Sequence, residues 1–200
     1  DGARNLVALT VTIEQAFGSG MVVPGWGFLL NNQLTDFHLS PQEPGQPPHP
    51  NRMIGGRRTR DTTVGDPAAK GNAAPQGGQR PRSSMSPTLV FKGGKPVLVL
   101  GSPGGSRIIQ YVAEVLLRVL DHGMGVQTAI NAPHHTHMGG RTDLEPPLDQ
   151  GGLPDRLRAL GHQVRIRPQG SGLHAIAIDP GTGMLSGGAD PRREGLAMGF

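Results

Sequence analysis

The chain has 200 residues, a formal net charge of +4 at pH 7 and no cysteine. This length is enough for one ordinary domain with a sizeable core, and the absence of cysteine excludes disulfides, thiolate metal sites and a cysteine nucleophile. Hydrophobic residues make up 35% of the chain, beside 32 Gly and 19 Pro, so we expect a loop-rich but folded protein. No apolar run is long enough to span a membrane as a helix.

The first apolar segment, residues 5–13, is rich in β-branched side chains and predicts a β-strand. Residues 41–79 lack apolar periodicity and are rich in Pro, Gly, Gln, Asn and Arg. This composition indicates a loop, an insertion or a mobile lid within a single domain spanning 1–200. The arginines of the loop leave nucleic-acid binding open, but no aromatic side chains alternate with them to stack on bases. We therefore expect no nucleic-acid partner.

The second half of the chain has a regular series of predicted elements. The strongest is a helix over 107–121, whose apolar side chains recur at helical spacing. The others, in chain order, are strands over 88–91 and 96–100 joined by the turn Lys92–Lys95, helices over 126–131 and 154–160, and strands over 163–167 and 173–178. Strands at both ends with helices between them indicate a layered α+β fold.

A glycine-rich loop at 101–107 joins a predicted strand to the strongest helix, with the sequence Gly-Ser-Pro-Gly-Gly-Ser-Arg. Glycines let backbone N–H groups approach a ligand closely, and the start of a helix favours negative charge. The loop lacks the Lys-Ser/Thr ending of a P-loop and the spaced glycines of a dinucleotide fingerprint, which argues against a nucleotide site. Two interpretations stay open: a tight strand–helix turn, or an oxyanion hole formed by the N–H groups of Gly104 and Gly105.

Three further clusters have both a structural and a functional interpretation. The histidine tract 134–137 could bind zinc, but no carboxylate stands at helical ligand spacing, which favours a structural or surface role. The amides and carboxylate of 31–37 could bind an ammonium group or serve turn chemistry. Ser83 and Ser84 could bind a carboxylate or lie in an ordinary loop. The sequence shows no Ser-His-Asp arrangement, and the serines near glycines do not form the G-x-S-x-G nucleophile elbow.

Five segments of the chain occur in one order that is more specific than any of them alone. The segments are Thr-Val-Thr-Ile-Glu-Gln-Ala-Phe-Gly-Ser-Gly at 10–20, Gly-Phe-Leu-Leu-Asn-Asn-Gln-Leu-Thr-Asp-Phe at 27–37, Arg-Ser-Ser-Met-Ser-Pro-Thr at 82–88, the glycine loop at 101–107, and Asp-Pro-Arg at 190–192. Together they resemble the small, catalytic subunit of the gamma-glutamyltransferases, which are N-terminal-nucleophile hydrolases. The resemblance covers nearly the whole chain and is weakest over 41–79.

The resemblance implies a four-layer αββα sandwich, of which this chain forms the small-subunit part. It also implies a precursor that cleaves itself, a heterodimer with the large subunit of that precursor, and no cofactor or metal. A newly exposed N-terminal Thr attacks a gamma-glutamyl amide such as glutathione, with its own α-amino group as base. The gamma-glutamyl enzyme then passes its acyl group to water or to an amino acid or peptide. A periplasmic or secreted location is expected, with a cytoplasmic one left open.

The resemblance carries anion-binding roles onto four positions. Gly104 and Gly105 match residues that supply oxyanion-hole N–H groups. Ser83 and Ser84 match residues that bind the α-carboxylate of the substrate. The resemblance therefore implies that the glycine loop binds the oxyanion at the gamma-carbonyl and that the serine pair binds the α-carboxylate.

The remaining roles concern a cation and the framework around it. Gln33 and Asp36 match residues that hold the substrate α-ammonium, and Glu14 lies where many members have Asn but would still face that ammonium. Thr12 matches a threonine that supports the nucleophile. Arg192 matches an arginine linked to structural integrity and maturation.

Two departures from the family pattern affect these expectations. The nucleophilic Thr should lie a little upstream of Asp1, so the chain alone is expected to be inactive, because Thr10 and Thr12 stand inside a predicted strand. His134 stands where the family commonly has an Ala-Pro-Arg segment. Two alternatives are a glutaryl-cephalosporin-type acylase of the same family and a non-catalytic homologue that binds or assembles. A glutaryl group has no ammonium, so the cation-binding residues favour gamma-glutamyl substrates.

Overall fold

The computed structural model describes residues 3, 5–38, 40, 42–52 and 80–199. They fall into two compact units. The larger unit contains the residues up to Val11 and those from Ser84 onward, and the smaller unit contains Thr12–Ser83. The start at Asp1-Gly2 and residues 53–79 of the predicted lid lie outside the described residues.

All the helices and strands of the described residues, apart from one 3₁₀ turn, lie in the larger unit. In chain order they are β1 (Thr88–Lys92), β2 (Lys95–Gly101), α1 (Ile108–Leu120), α2 (Val126–Asn131), β3 (His135–His137), β4 (Arg141–Leu144), α3 (Leu153–Ala159), β5 (Gln163–Ile166), β6 (His174–Ile178) and β7 (Leu185–Ala189). Short 3₁₀ turns cover Gly105–Arg107 in this unit and Gln33–Asp36 in the smaller one. None of the described helices is both long enough and apolar enough to cross a membrane.

Two sheets form the framework of the larger unit. The first is fully antiparallel with strand order β1-β2-β6-β7, and the second has order β3-β4-β5 with β4 and β5 parallel. The β1–β2 turn has positive φ at both Gly93 (57°) and Gly94 (76°), which is the backbone twist that a two-residue hairpin needs. The hairpin places the end of β2 beside β6, where the glycine loop begins.

One hydrophobic core joins α1 and α2 to the four-stranded sheet. Its buried members are Leu98, Leu100, Ile108, Tyr111, Val112, Val115, Val126, Ala129, Ile130, Leu173 and Ala175. The members on α1 recur at helical spacing, so one face of this helix packs on the sheet while the opposite face meets solvent. Because β2 and α1 are both anchored in this core, the loop between them has two fixed ends.

The structure confirms the predicted hairpin, all three predicted helices and the strands β5 and β6 to within two residues at each end. The predicted strand over 5–13 is wrong. Val7, Leu9 and Val11 are 79%, 77% and 78% exposed, and among the described residues no strand pairs with this segment. A β-strand needs a partner for its backbone hydrogen bonds, and high β propensity does not replace one.

Three strands, β3, β4 and β7, were missing from the prediction. β3 is formed by the last three residues of the histidine tract and pairs with β4, which also pairs with β5. β7, whose sequence Leu-Ser-Gly-Gly-Ala lacks β-branched residues, pairs along the edge of β6. In each case the neighbouring strand, and not local propensity, determines the conformation.

Candidate active site

The glycine loop of the larger unit uses backbone conformations that favour glycine. Gly104 has φ of +140° and Gly105 has φ of +60°, both in the region that L side chains rarely adopt. Gly105 opens the 3₁₀ turn that leads into α1. Among the turn and loop hydrogen bonds of the described residues, none is donated by the backbone N–H of Gly104 or Gly105. Two free N–H donors at the start of a helix are suited to holding an oxyanion.

The loop is fixed from its inner side by a second glycine segment. Ser102 is 2% exposed, and its Oγ accepts a hydrogen bond of 3.2 Å from the N–H of Gly172. A Cβ on Gly172 would lie 2.6 Å from Cγ of Pro103, so only glycine fits there without movement. The direction of the free N–H groups is therefore set by contacts that precede any ligand.

In the smaller unit, the side-chain amide of Gln33 has a buried oxygen that accepts no hydrogen bond from the described residues. Its Nε2 donates to the backbone oxygen of Thr12 at 3.2 Å, which fixes the orientation of the amide. Its Oε1 is buried and has no hydrogen-bond partner among the described residues. A buried acceptor without a partner costs about 1–3 kcal/mol, and a ligand donor would remove that cost.

Glu14 has a strained backbone next to this amide. Its φ is +76°, and it is the only non-glycine residue with positive φ in the described part of the chain. The N–H of Glu14 donates to Oγ1 of Thr12 at 2.9 Å, and its carboxylate accepts from Oγ1 of Thr35 at 3.0 Å. Such strain persists only where the surroundings determine it, and it is concentrated at functional sites.

Asp36 completes a group of acceptors in the smaller unit. Burial, followed by the nearby Glu14 carboxylate, raises the pKa of Asp36 above its ordinary value, against the opposing effect of Arg82. Two carboxylates and the unpartnered oxygen of Gln33 are acceptors of the kind that a cation with hydrogen-bond donors requires. Among the described residues no group of three or more His, Asp or Glu side chains could hold a metal ion.

The comparisons with known proteins identify the family and the fold of the chain. The family model for gamma-glutamyltranspeptidase matches residues 1–200. The chain belongs to this family. Its fold is confirmed as that of the N-terminal-nucleophile hydrolases, part of a four-layer αββα sandwich, because a crystal structure of a mutant Helicobacter pylori gamma-glutamyltranspeptidase matches it with a TM-score of 0.76 and 35% identity, over 96% of each chain.

Two bacterial members of the gamma-glutamyltranspeptidase family illustrate the extent of the match. A glutathione hydrolase proenzyme of Escherichia coli (strain K12) is 38% identical over 204 residues, which is 100% of this chain and 32% of that protein. A glutathione hydrolase proenzyme of Bacillus subtilis (strain 168) is 35% identical over 198 residues, which is 98% of this chain and 29% of that protein. The chain therefore spans about a third of the length of these relatives.

Arg192, in the Asp-Pro-Arg segment that this family member carries, is at the centre of a buried ionic cluster. It binds Glu145 through two hydrogen bonds of 2.7 and 2.6 Å and Asp190 through one of 3.1 Å. It also donates to the backbone oxygens of Ile130 (3.0 Å) and Ala132 (3.1 Å) at the end of α2. Burial opposes ionisation, but the bonds and charge of Arg192, together with backbone hydrogen bonds from His134 and Gln169, outweigh it and lower the pKa of Glu145. The geometry is that of a structural joint, consistent with the predicted role.

The histidine tract of this gamma-glutamyltranspeptidase homologue is engaged in structural contacts. His134 is fully buried, and both it and His135 bind the carboxylate of Glu114. Burial opposes ionisation of Glu114, but these hydrogen bonds outweigh it and lower its pKa to about 2. His137 binds Oγ1 of Thr142 at 3.1 Å. These contacts support the structural interpretation of the tract.

The predicted serine pair lies at the boundary of the two units. Ser83 is exposed at the end of the smaller unit, and Ser84 is half-buried at the start of the larger one. Asn51 was not predicted; its side chain accepts a hydrogen bond from the N–H of Arg82 (3.1 Å) and donates one to the backbone oxygen of Asp36 (2.6 Å). Within the smaller unit, Asn51 thus links Arg82, next to the serine pair, to Asp36, which with Glu14 and Gln33 forms the group called here the acceptor cluster. It lies in the loop that resembles the family least, and no local pattern marks it.

The structure therefore brings four predicted residues together in the smaller unit. Thr12 holds both Glu14 and Gln33, and Glu14 acts electrostatically on Asp36. The predicted oxyanion glycines lie in the larger unit.

Proposed function

We propose that the protein to which this chain belongs cleaves gamma-glutamyl amides such as glutathione and transfers the gamma-glutamyl group to water or to an amino acid or peptide. The observation that carries this proposal is the buried oxygen of Gln33, which has no partner among the described residues and lies in the same unit as the electrostatically coupled carboxylates of Glu14 and Asp36. An α-ammonium group supplies three donors and one positive charge, which match these acceptors in number and sign.

The reaction begins with the N-terminal threonine expected upstream of Asp1. Its hydroxyl oxygen attacks the gamma-carbonyl carbon while its α-amino group takes the hydroxyl proton. The negative charge that forms on the carbonyl oxygen is held by the N–H groups of Gly104 and Gly105. The C–N bond then breaks, and the leaving amine takes the proton. Attack by water or an acceptor amine on the resulting ester releases the product and restores the hydroxyl.

Each predicted residue has a part in positioning the substrate. Gln33, Asp36 and Glu14 bind the α-ammonium, and Ser83 and Ser84 donate hydrogen bonds to the α-carboxylate. Fixing both groups of the amino acid end leaves the gamma-carbonyl as the part that meets the nucleophile.

We also propose a partner for the larger of the two units of this chain. It contacts the large subunit, which is the other product of the same precursor. Val7, Leu9 and Val11 are exposed, and they line a cavity of about 630 Å³ whose other walls include residues 99–103 and 174–176. Exposed apolar side chains around an open cavity are typical of an interaction surface. The relatives are proenzymes of about three times the length of this chain, so the rest of the precursor is the occupant we propose.

The test uses the full-length precursor. We expect it to cleave itself, to expose a threonine at the start of the small subunit on N-terminal sequencing, and to release p-nitroaniline from its L-gamma-glutamyl derivative. The matched substrate is glutaryl-p-nitroanilide, which has the same acyl chain without the ammonium and should be a much poorer substrate. Preference for the glutaryl compound would favour the acylase alternative. A mature small subunit without an N-terminal threonine would favour the non-catalytic one.

A further inference from the structure

Directly behind the glycine loop lies the ring of Tyr111, on the first turn of α1. Tyr111 is the largest of the fully buried side chains, with 1% of its surface exposed. A Cβ built on Gly104 would lie 2.7 Å from Cε2 and 3.0 Å from Cδ2 of this ring. The backbone of Gly104 therefore rests on the face or edge of the ring with no space between them, and the ring limits how far this part of the loop can move inward.

The hydroxyl of Tyr111 holds the ring in place from the other end. It donates a hydrogen bond of 2.9 Å to Oε1 of Gln169, which is itself buried at 6% exposure. The backbone N–H of Gln169 in turn points to Oε1 of Glu145 at 3.4 Å. Burial raises the pKa of Tyr111, so the hydroxyl keeps its proton and remains a donor. The ring thus cannot rotate or withdraw without leaving a buried amide oxygen poorly satisfied.

The residues after Gln169 reach the same loop by a second path. The carbonyl oxygen of Gly170 lies 3.6 Å from the position of a Cβ on Gly104, and Nε of Arg193 donates to that oxygen at 3.0 Å. Gly172 contacts Ser102 and packs on the loop, as described above. The segment 170–172 and the ring of Tyr111 therefore both support the loop, and they meet at Gly104.

We propose that Tyr111 and Gln169 act as positioning residues that set the direction of the Gly104 and Gly105 N–H groups toward the oxyanion. The proposal rests on the proposed function of the glycine loop. Neither side chain touches reacting atoms, and their effect passes through the backbone of Gly104. Catalysis by fixed donors depends on their placement before the reaction, and a displacement of about 1 Å can cost about a hundredfold in rate.

The experiment measures kcat and KM of the self-processed enzyme with L-gamma-glutamyl-p-nitroanilide. Tyr111→Ala removes the ring and should lower kcat by about ten- to a hundredfold while KM changes less than about twofold. Tyr111→Phe keeps the ring and loses only the hydroxyl bond, so it should recover most of this loss. Gln169→Leu should match Tyr111→Phe, and the double variant should be no worse than either single one, because both remove the same bond.

Val115→Ala is the matched control. Val115 lies one turn further along the same buried face of α1 and is 0% exposed, and it is not among the nearest neighbours of a Cβ built on Gly104 or Gly105. It should lower the melting temperature by leaving a cavity in the same core, though by less than Tyr111→Ala does, and leave kcat unchanged. An equal fall in kcat for Val115→Ala, or a fall confined to 1/KM for Tyr111→Ala, would overturn the proposal.

A second measurement does not depend on turnover. Amide hydrogen exchange of the peptide covering 101–107 should quicken in Tyr111→Ala and Gln169→Leu but stay at the parent rate in Val115→Ala. If the parent enzyme proves inactive on gamma-glutamyl substrates, the proposed function fails, and this measurement still tests the positioning role. If the parent is active and the variants keep both its kcat and its exchange rate, the positioning role fails alone. Should Tyr111→Ala not fold, Tyr111→Phe and Gln169→Leu carry the test.

Discussion

The glycine loop of the larger unit and the acceptor cluster of the smaller unit prepare for opposite charges by opposite means. The loop offers backbone N–H groups, and its conformation is fixed by a buried core and by hydrogen bonds such as Ser102–Gly172. The cluster offers side chains that carry unfavourable features: positive φ at Glu14, an unpartnered oxygen on Gln33 and a raised pKa at Asp36. The loop thus presents uncharged backbone donors in a fixed conformation. The acceptor cluster instead carries backbone strain and unsatisfied acceptors, whose free-energy cost a bound cation would reduce.

The largest expected effect on the stability of the larger unit is at Arg192. Arg192→Ala leaves the buried carboxylates of Glu145 and Asp190 without their cation, and breaking a buried pair in this way costs about 3–5 kcal/mol. We expect the precursor to unfold at a much lower urea concentration and to accumulate poorly. Arg158→Ala removes a surface ion pair with Asp155 and serves as the control. Equal midpoints for the two variants would contradict the structural role of Arg192.

The loop itself is tested by removing one donor. Gly105→Pro deletes the N–H group and should lower kcat by about a hundredfold or more. Gly105→Ala is the control, because its Cβ would meet nothing within 4 Å and the N–H group stays. That variant should lose stability through its positive φ, by about 1–2 kcal/mol, but retain most of its turnover. Unchanged turnover in Gly105→Pro would refute the oxyanion assignment.

The cation site is tested by neutralising Asp36. Asp36→Asn should raise KM for L-gamma-glutamyl-p-nitroanilide by about tenfold, since a hydrogen bond to a charged group is worth about 1.5–3 kcal/mol. The glutaryl compound, which has no ammonium, should bind the variant no worse than the parent. If both substrates lost affinity equally, the role of Asp36 would be structural and not that of an ammonium ligand.

The pH dependence of the same residue has a definite sign. The pKa of Asp36 is raised in the folded protein, so protonation favours folding, and the ionised carboxylate reduces stability as pH rises above the unfolded-state pKa. Asp36→Asn should therefore melt no lower than the parent at neutral pH. Substrate binding requires the ionised form, so kcat/KM should fall in the parent as pH drops through the raised pKa. The same profile should be flatter in the variant.

The smallest effect is expected at Glu14. Asparagine tolerates positive φ better than glutamate does, so Glu14→Asn should raise the free energy of unfolding by a fraction of a kcal/mol up to about 1 kcal/mol. Thermal melts of the parent and the variant measure it. Gln15→Asn, at the neighbouring position, is the control and should bring no gain. A lower melting temperature for Glu14→Asn would show that the carboxylate contact with Thr35 matters more than the backbone strain.

The sequence predicts those parts of the fold that local pattern determines. The α1 helix and the β1–β2 hairpin follow from side-chain periodicity and from a glycine turn. The error over 5–13 arose because exposed Val and Leu at alternate positions resemble a strand whether or not a partner strand is present. β3 was missed because its His-Thr-His sequence is held by pairing with β4, which local propensity does not report.

The site divides in the same way. The glycine loop can be predicted from the sequence because the loop, the strand before it and the helix after it are contiguous in the chain. The contact of Asn51 with Asp36 and Arg82 joins segments that are distant in the sequence. Periodicity places Tyr111 in the core, but its bond to Gln169, 58 residues away, depends on the folded topology. Long-range hydrogen bonds leave no local signature.

The short helix α2 has a consequence for the order in which the chain is made. It has six residues, too few to be stable alone in water, and the backbone oxygens at its end are satisfied by Arg118 and Arg192. The second of these arginines is synthesised about 60 residues later. During translation this helix therefore lacks half of its C-terminal capping until Arg192 has left the ribosome, and its end is fully capped only from that point on.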